Sequence, residues 1–208
     1  MNISSAITKG SKILEKNLIP NSQLDSELLM AKIINKDRNY ILLHSNNLLK
    51  KNDQKKFYKL IDSRSLGNPV AYLTNKKFFW NSEFFITNAT LIPRPDTELI
   101  VENALRLTKH KNKINILEIG IGSGCIILSI LRERKNFYGT GIDISRKCLN
   151  ISKINALNLK ISNRLKLYKT DVDKFNFGKY DLVVSNPPYI KTSKIKYLER
   201  DVAEFEPK

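Results

Sequence analysis

The stretch Glu118-Ile119-Gly120-Ile121-Gly122-Ser123-Gly124 decides the fold. Its first two residues end a predicted strand over residues 114–119. Its glycine part, residues 120–124, is a loop before a predicted helix over residues 125–133 that has a continuous apolar face. Glycines at alternating positions let ligand atoms pack directly against the backbone, because no side chain intervenes. A loop of this kind between a strand and a helix is typical of nucleotide-binding domains. We therefore expect a nucleoside site at this turn.

The chain after the loop continues the alternation of strand and helix. Further strands are predicted at residues 137–142, 165–168 and 180–185, with a helix over residues 145–159. This spacing predicts parallel βαβ units and hence an α/β fold with a doubly wound, Rossmann-like sheet. Right-handed crossovers then bring the carboxyl ends of the strands to one edge, where ligands bind in such folds.

Asp143 ends the second predicted strand, about 20 residues after the glycine loop, as expected of a carboxylate that binds ribose hydroxyls. The glycines follow the pattern Gly-x-Gly-x-Gly, which differs from the dinucleotide fingerprint, and no Lys-Ser/Thr pair follows to bind phosphate. A nucleoside cofactor without phosphate is therefore favoured over NAD or ATP. S-adenosyl-L-methionine fits, and Glu118 offers a carboxylate near its amino-acid end.

A second motif, Asn186-Pro187-Pro188-Tyr189, follows an apolar run over residues 181–185 and so lies at a strand's carboxyl end. Two prolines fix two φ angles, remove two N–H donors and hold Asn186 extended. The turn then offers oxygen acceptors to a planar NH2 group, which needs no general base before it attacks. Orientation alone supplies roughly 7–11 kcal/mol when reacting atoms are pre-aligned. We predict that these four residues bind the substrate and are catalytic; a rigid loop with a packed tyrosine is the alternative.

The sequence before the predicted sheet indicates two smaller parts, a helical domain and a linker. Helical periodicity over residues 3–18, 22–34, 38–44 and 53–66 indicates an all-α domain over residues 1–72. Aromatic and β-branched runs at 78–80 and 84–86 predict a β-hairpin in a linker over residues 73–93, with its turn at residues 81–83. Residues 94–208 form the third part.

The loop that enters this third part contains Arg94 between Pro93 and Pro95. The prolines give the arginine a defined direction, which suggests a substrate-binding residue; an ordinary surface ion pair is the alternative. Asp96 or Thr97 is expected to cap a helix that runs to about Lys109.

Composition limits the function classes. The formal net charge is +16, which would steer the protein to nucleic acid or to an acidic protein surface, although the lysines are scattered through the chain. No apolar run has the length of a membrane span, and the amino terminus lacks the apolar block of a signal peptide, so a cytoplasmic location is expected. Cys125 and Cys148 have no paired spacing, so buried small residues are predicted in place of a disulfide or a metal site.

These motifs together resemble the peptide chain release factor N5-glutamine methyltransferases. The likeness runs from about Leu24 to Lys208 and includes Asn68 to Thr74, Phe79-Trp80, Leu91 to Glu98 and Phe205-Glu206-Pro207 as well as both site motifs. It implies transfer of a methyl group from S-adenosyl-L-methionine to the side-chain amide N5 of the glutamine in the Gly-Gly-Gln motif of release factors. It also implies a methyltransferase domain over residues 94–208 and an N-terminal domain that recognises the substrate, in a monomer.

The resemblance implies a role for each motif. Residues 120–124 would hold the methionine part of the cofactor and Asp143 its ribose, while Asn186 would bind the glutamine amide near the cofactor. Asp171 and Val172 stand at the adenine position, where the family commonly has an acidic residue followed by an aromatic one. Valine removes the stacking partner, so a lower cofactor affinity is expected.

Two alternatives remain open at this point. DNA adenine methyltransferases and ribosomal protein glutamine methyltransferases share the Asn-Pro-Pro-Tyr motif, so a nucleic acid amino-methyltransferase acting on adenine N6 or guanine N2 is the first. The family resembled continues with further strands and helices beyond the point that matches Lys208, so the methyltransferase domain is expected to be C-terminally incomplete. A non-catalytic binder is therefore the second alternative.

Overall fold

The computed structural model describes residues 1–187 and 204–207. The described residues divide into two compact units: the first comprises residues 1–75 with 204–205, and the second comprises residues 76–187 with 206–207. Within the described ranges, no helix combines the length and the apolarity that crossing a membrane requires.

The first unit is helical. Its helices pack around a core that includes Leu14, Leu29, Phe57 and Ile61, and a buried ion pair joins Arg64 Nε to Asp25 Oδ2 at 2.7 Å. The fifth helix was not predicted from the sequence, because its five residues are too few to show a helical period. The helices are α1 (Ile3–Lys16), α2 (Ser22–Ile34), α3 (Arg38–Leu43), α4 (Lys51–Ser65) and α5 (Val70–Thr74).

A β-hairpin opens the second unit, as expected, but its turn lies earlier than predicted. Strands β1 (Lys76–Phe79) and β2 (Ser82–Phe85) pair antiparallel, and Trp80 and Asn81 form the turn. Trp80 adopts a φ of +49°, a conformation in which its N–H donates to Glu98 Oε1 at 2.7 Å and its indole Nε1 donates to Glu133 Oε1 at 2.8 Å. Both glutamates are distant from Trp80 in the sequence, so the local sequence pattern does not predict the position of this turn.

The described sheet confirms the predicted doubly wound α/β class. Its four strands are parallel in the order β5-β4-β3-β6, where β3 is Asn115–Ile119, β4 is Tyr138–Asp143, β5 is Leu165–Lys169 and β6 is Leu182–Ser185. The register pairs Ile119 with both Ile142 and Ser185. The residues that follow these three positions are therefore neighbours at one edge of the sheet. They are Gly120, Asp143 and Asn186.

Helices α6 (Glu98–Leu107), α7 (Cys125–Glu133) and α8 (Arg146–Asn158) complete the described second unit. Helix α7 approaches β4 closely because that strand carries Gly139, where a Cβ atom would lie 2.7 Å from Ile127 Cδ1. Cys125 and Cys148 are both buried, which confirms their interpretation as buried small residues.

Candidate functional site

The glycine loop begins the site and is anchored to β4. The N–H groups of Gly120 and Ile121 both donate to the carbonyl of Ile142, at 2.9 and 3.0 Å. Gly120, Gly122 and Gly124 have φ values of +69°, +55° and +77°, which only glycine adopts at low cost. A Cβ atom on Gly120 would meet no atom of the described residues within 4 Å. At Gly120 the loop thus presents bare backbone to open space, which fits the ligand-binding role predicted for it, whereas a Cβ atom on Gly124 would lie 3.1 Å from Leu128 Cδ1.

Two polar residues of α8 hold this loop from behind. Ser152 Oγ donates to the Gly122 carbonyl at 2.7 Å, and Asn155 Nδ2 donates to the Ser123 carbonyl at 2.9 Å. Asn155 also bonds both the N–H and the carbonyl of Phe85 in the hairpin. The sequence reading missed both residues, although polar side chains three positions apart on an otherwise buried helix face were a detectable signal.

Asp143 lies beside the loop at the end of β4. Its Oδ2 accepts from the Gly122 N–H at 3.0 Å, and its Oδ1 accepts from the Ser145 N–H at 2.8 Å. Each oxygen keeps a further lone pair, so the carboxylate is fixed in direction and still able to accept from a pair of hydroxyl groups.

Glu118, at the other side of the loop, is fully enclosed. Its Oε2 accepts from the Ile127 N–H at 3.0 Å. The pKa of this carboxyl is raised to about 8: burial is the largest cause, the Ile127 hydrogen bond acts against it, and the negative charge of Asp143 adds to the rise. At neutral pH the side chain is mostly protonated. A cation brought close to it would favour the carboxylate.

Burial also raises the pKa of the neighbouring Cys125 thiol to about 12, with the Glu118 charge as the second cause. This cysteine stays a thiol at neutral pH, and its role is packing, because the thiolate is the nucleophilic form.

Asn186 follows β6 at the same edge of the sheet. Ser185 Oγ donates to the Ile119 carbonyl at 2.9 Å, which ties the end of β6 to the start of the glycine loop. Asn186 Nδ2 donates to Thr97 Oγ1 at 3.1 Å, and no described residue donates to its Oδ1. The carboxamide therefore keeps an acceptor for an incoming N–H group. Pro187 is exposed, and Pro188 and Tyr189 lie outside the described residues.

Asp96 or Thr97 was expected to cap a helix, and Thr97 does occupy the N-cap position of α6, but its side chain does not act as the cap. Helix α6 begins at Glu98 after a single 3-10 turn over Pro95–Thr97, and the Thr97 side chain makes no capping hydrogen bond with the described backbone. Its hydroxyl instead accepts from Asn186.

Arg94, predicted to bind substrate, forms an ion pair with Glu206 through its Nη2 atom. The Glu206 side chain is only 2% exposed, and its other oxygen accepts from the Ile92 N–H at 3.5 Å. The structure therefore shows the alternative interpretation, in which Arg94 forms an ion pair. The pair differs from an ordinary surface ion pair because Glu206 is buried. Direct contact of Arg94 with a substrate stays a prediction.

Asp171 and Val172 follow β5 and are placed next to Asp143, whose carbonyl accepts from the Thr170 N–H at 3.1 Å. Asp171 Oδ1 accepts from the Asp173 N–H at 3.0 Å, and Val172 is 48% exposed. A group of aromatic rings lies nearby, with Tyr168 and Phe175 centroids 5.8 Å apart and Phe177 stacked on Tyr168 at 6.3 Å. The sequence reading did not single out this group.

Comparisons with known proteins match both units. The family description "PrmC N-terminal domain" matches residues 5–74, and "Methyltransferase small domain" matches residues 95–202. A protein named release factor glutamine methyltransferase from Leptospira interrogans is 34% identical over 210 residues, covering 99% of this chain and 73% of the relative. One of the same name from Buchnera aphidicola is 36% identical, covering 100% and 73%.

Among solved structures, an RNA methyltransferase from Salinibacter ruber in complex with S-adenosyl-L-homocysteine overlays with a TM-score of 0.41. It is 19% identical, and the overlay covers 56% of this chain and 72% of that one.

Proposed function

The chain belongs to the release factor glutamine methyltransferase family, and we propose that it methylates the side-chain amide N5 of the glutamine in the Gly-Gly-Gln motif of peptide chain release factors. The methyl donor is S-adenosyl-L-methionine. The observation that carries the proposal is the Asn186 carboxamide, whose Oδ1 has no donor among the described residues and which adjoins the glycine loop across the β3–β6 ladder. A primary amide is the substrate group that such an acceptor suits.

The residues that we propose to bind the cofactor lie along the same edge of the sheet. Gly120 to Gly124 would hold the methionine part against bare backbone, and Asp143 would accept from the ribose hydroxyls through its remaining lone pairs. Glu118 would face the positively charged end, and Asp171 with Val172 would lie along the adenine. When bound there, S-adenosyl-L-methionine supplies an electrophilic methyl group.

The protein's contribution to the chemistry is positioning. Asn186 Oδ1 would accept from the NH2 group of the substrate, and the carbonyl of Pro187 is a second candidate acceptor on the same turn. Two hydrogen bonds to fixed oxygens hold a planar NH2 group in one orientation, so the nitrogen is aligned without a general base. Pro188 and Tyr189 are proposed to complete the pocket.

A second candidate function is transfer to an exocyclic amino group of adenine or guanine. The net charge of +16 favours it, because a basic surface attracts nucleic acid. An aryl NH2 group would also satisfy the Asn186 acceptor. The family assignment supports the release factor instead, and with it we propose a cytoplasmic monomer whose N-terminal unit recognises the substrate.

Transfer assays with labelled cofactor separate the two functions. The protein is incubated with a release factor, with a release factor in which the motif glutamine is replaced by alanine, and with RNA or DNA. We expect label only in the unaltered release factor. Label found only in nucleic acid would reject the proposed function.

A further inference from the structure

Thr97 and Asn186 are 89 residues apart in the chain, yet their side chains are joined by a 3.1 Å hydrogen bond at the edge of the sheet. Thr97 is buried, at 7% exposure, in the turn that precedes α6. Asn186 is half-buried and ends the segment that leads out of β6. The hydroxyl has no helix-capping role within the described chain, so its role lies with Asn186.

From this contact we propose that Thr97 is a positioning residue, which holds the reach and plane of the Asn186 carboxamide and accepts from Nδ2 when Oδ1 faces the substrate amide; this rests on the proposed function. The two ends of a carboxamide are nearly identical in shape, but only the oxygen accepts from an NH2 group. If Nδ2 faced the substrate, two donors would oppose each other. Thr97 Oγ1 pairs Nδ2 and fixes the reach and plane of the side chain.

A positioning group must itself be held, and Thr97 is held from both sides. Its own N–H donates to the Arg94 carbonyl at 3.1 Å, and the next residue, Glu98, accepts from the Trp80 N–H at 2.7 Å. The preceding loop is anchored by the ion pair of Arg94 with buried Glu206. The hydroxyl is therefore a fixed partner.

The residue before Asn186 is held as well, because Ser185 Oγ donates to the Ile119 carbonyl at 2.9 Å. With the start of the residue fixed by β6 and its amide nitrogen fixed by Thr97, the remaining freedom of Oδ1 is small. The hydroxyl can also donate, so Thr97 alone does not choose the end of the amide. The incoming NH2 group makes that choice, and Thr97 satisfies the nitrogen that is left.

The test compares Thr97→Val, which keeps the branched shape and removes the hydroxyl, with Thr97→Ser, which keeps the hydroxyl. Thr108→Val is the matched control, because Thr108 is a buried threonine at the other end of α6 whose hydroxyl donates to the Ala104 carbonyl at 2.7 Å, its one side-chain hydrogen bond among the described residues. The measurements are kcat and KM for a release factor, the Kd for S-adenosyl-L-methionine, and Tm.

We expect Thr97→Val to lower kcat by about 10- to 100-fold, the size of effect that misplacing a positioning group produces. The cofactor Kd should stay close to that of the unaltered protein, because the glycine loop and Asp143 are untouched. KM should change less than kcat, because in the proposal Thr97 contacts Asn186 and not the substrate. Thr97→Ser should restore most of kcat, and Thr108→Val should leave it unchanged. A merely structural role would instead lower Tm and weaken cofactor binding together with kcat.

Equal kcat for Thr97→Val and the unaltered protein would overturn the inference, while the proposed function would stand. Failure of the unaltered protein to methylate the release factor would reject the proposed function first. If Thr97→Val does not fold, the rates of Thr97→Cys and Thr97→Ser are compared instead. The thiol is nearly the same size as the serine hydroxyl group but is a weak acceptor. Equal methyl transfer rates for the Cys and Ser variants would also overturn the positioning role of Thr97.

Discussion

Two hydrogen bonds fix the position of Asn186: Ser185 Oγ ties the end of β6 to the Ile119 carbonyl, and Thr97 Oγ1 accepts from the Asn186 amide nitrogen. We predict that Asn186→Ala lowers the methyl transfer rate by at least roughly 100-fold, because the substrate nitrogen loses the acceptor that orients it. Cofactor binding should be largely retained, because most of its predicted contacts come from the glycine loop, Asp143 and the segment after β5. Single-turnover transfer and calorimetric cofactor titration check both, with exposed Asn163→Ala as the control. Unchanged turnover would refute the assigned role.

Glu118 gives the folded protein a pH dependence with a defined sign. Burial, the largest cause, raises its pKa from 4.5 to about 8, so between these values the folded protein binds a proton that the unfolded chain releases. The free energy of unfolding therefore decreases as pH rises through this window. We predict that Glu118→Gln removes this component and flattens the Tm profile between about pH 5 and 8 relative to the unaltered protein.

The control for this profile is Glu102→Gln, which changes an exposed glutamate of α6. It should leave the slope as it is. A Glu118→Gln profile parallel to that of the unaltered protein would show that the Glu118 carboxyl titrates alike in both states.

The sequence predicts some of these residues and not others, for physical reasons. Asp143 ends a strand, and Gly120 and Asn186 each directly follow one, so a correct strand pattern places all three at one edge of the sheet without further information. The Thr97–Asn186 bond joins positions 89 residues apart, and Thr97 precedes a helix in a way that local pattern assigns to capping. The protonation of Glu118 depends on its complete burial, which no motif reports.

Among the elements, α8 links the hairpin to the glycine loop through Asn155. Its side chain makes three hydrogen bonds of 2.7–2.9 Å, to the N–H and carbonyl of Phe85 and to the carbonyl of Ser123, and it is 1% exposed. We predict that Asn155→Ala lowers the free energy of unfolding by roughly 2–4 kcal/mol, because buried backbone groups lose their partners. Cofactor affinity should fall with it, since the loop loses a support.

Chemical denaturation and cofactor titration measure both effects. Asn158→Ala, an exposed change one helical turn further along α8, is the control and should alter neither. An Asn155→Ala protein with unchanged stability and affinity would contradict the supporting role of α8.

The types of the elements in the sheet were predictable because each strand and helix has its own hydrophobic period. Their boundaries were less so, and the hairpin illustrates why. Trp80 takes the first turn position because Glu98 and Glu133 bond its backbone and ring, and neither contact is visible in the local sequence. The five-residue helix α5 is too short to show a period.

For the molecule as a whole, the basic net charge raises the question of which class of macromolecule binds as substrate. The charge of +16 is shared by many scattered lysines, so it sets no single target and agrees with either an acidic protein surface or nucleic acid. The acceptor geometry at Asn186 is also common to both substrate classes. The family match, which spans 73% of the length of the relatives, is what favours the release factor.

The identity of the methylated atom therefore tests the account most directly. A release factor treated with the protein and S-adenosyl-L-methionine is digested, and the peptide that contains Gly-Gly-Gln is sequenced by tandem mass spectrometry. We predict one added methyl group on the glutamine side-chain amide. A peptide that remains unmodified while nucleic acid in the same reaction acquires methylated amino groups would contradict the account.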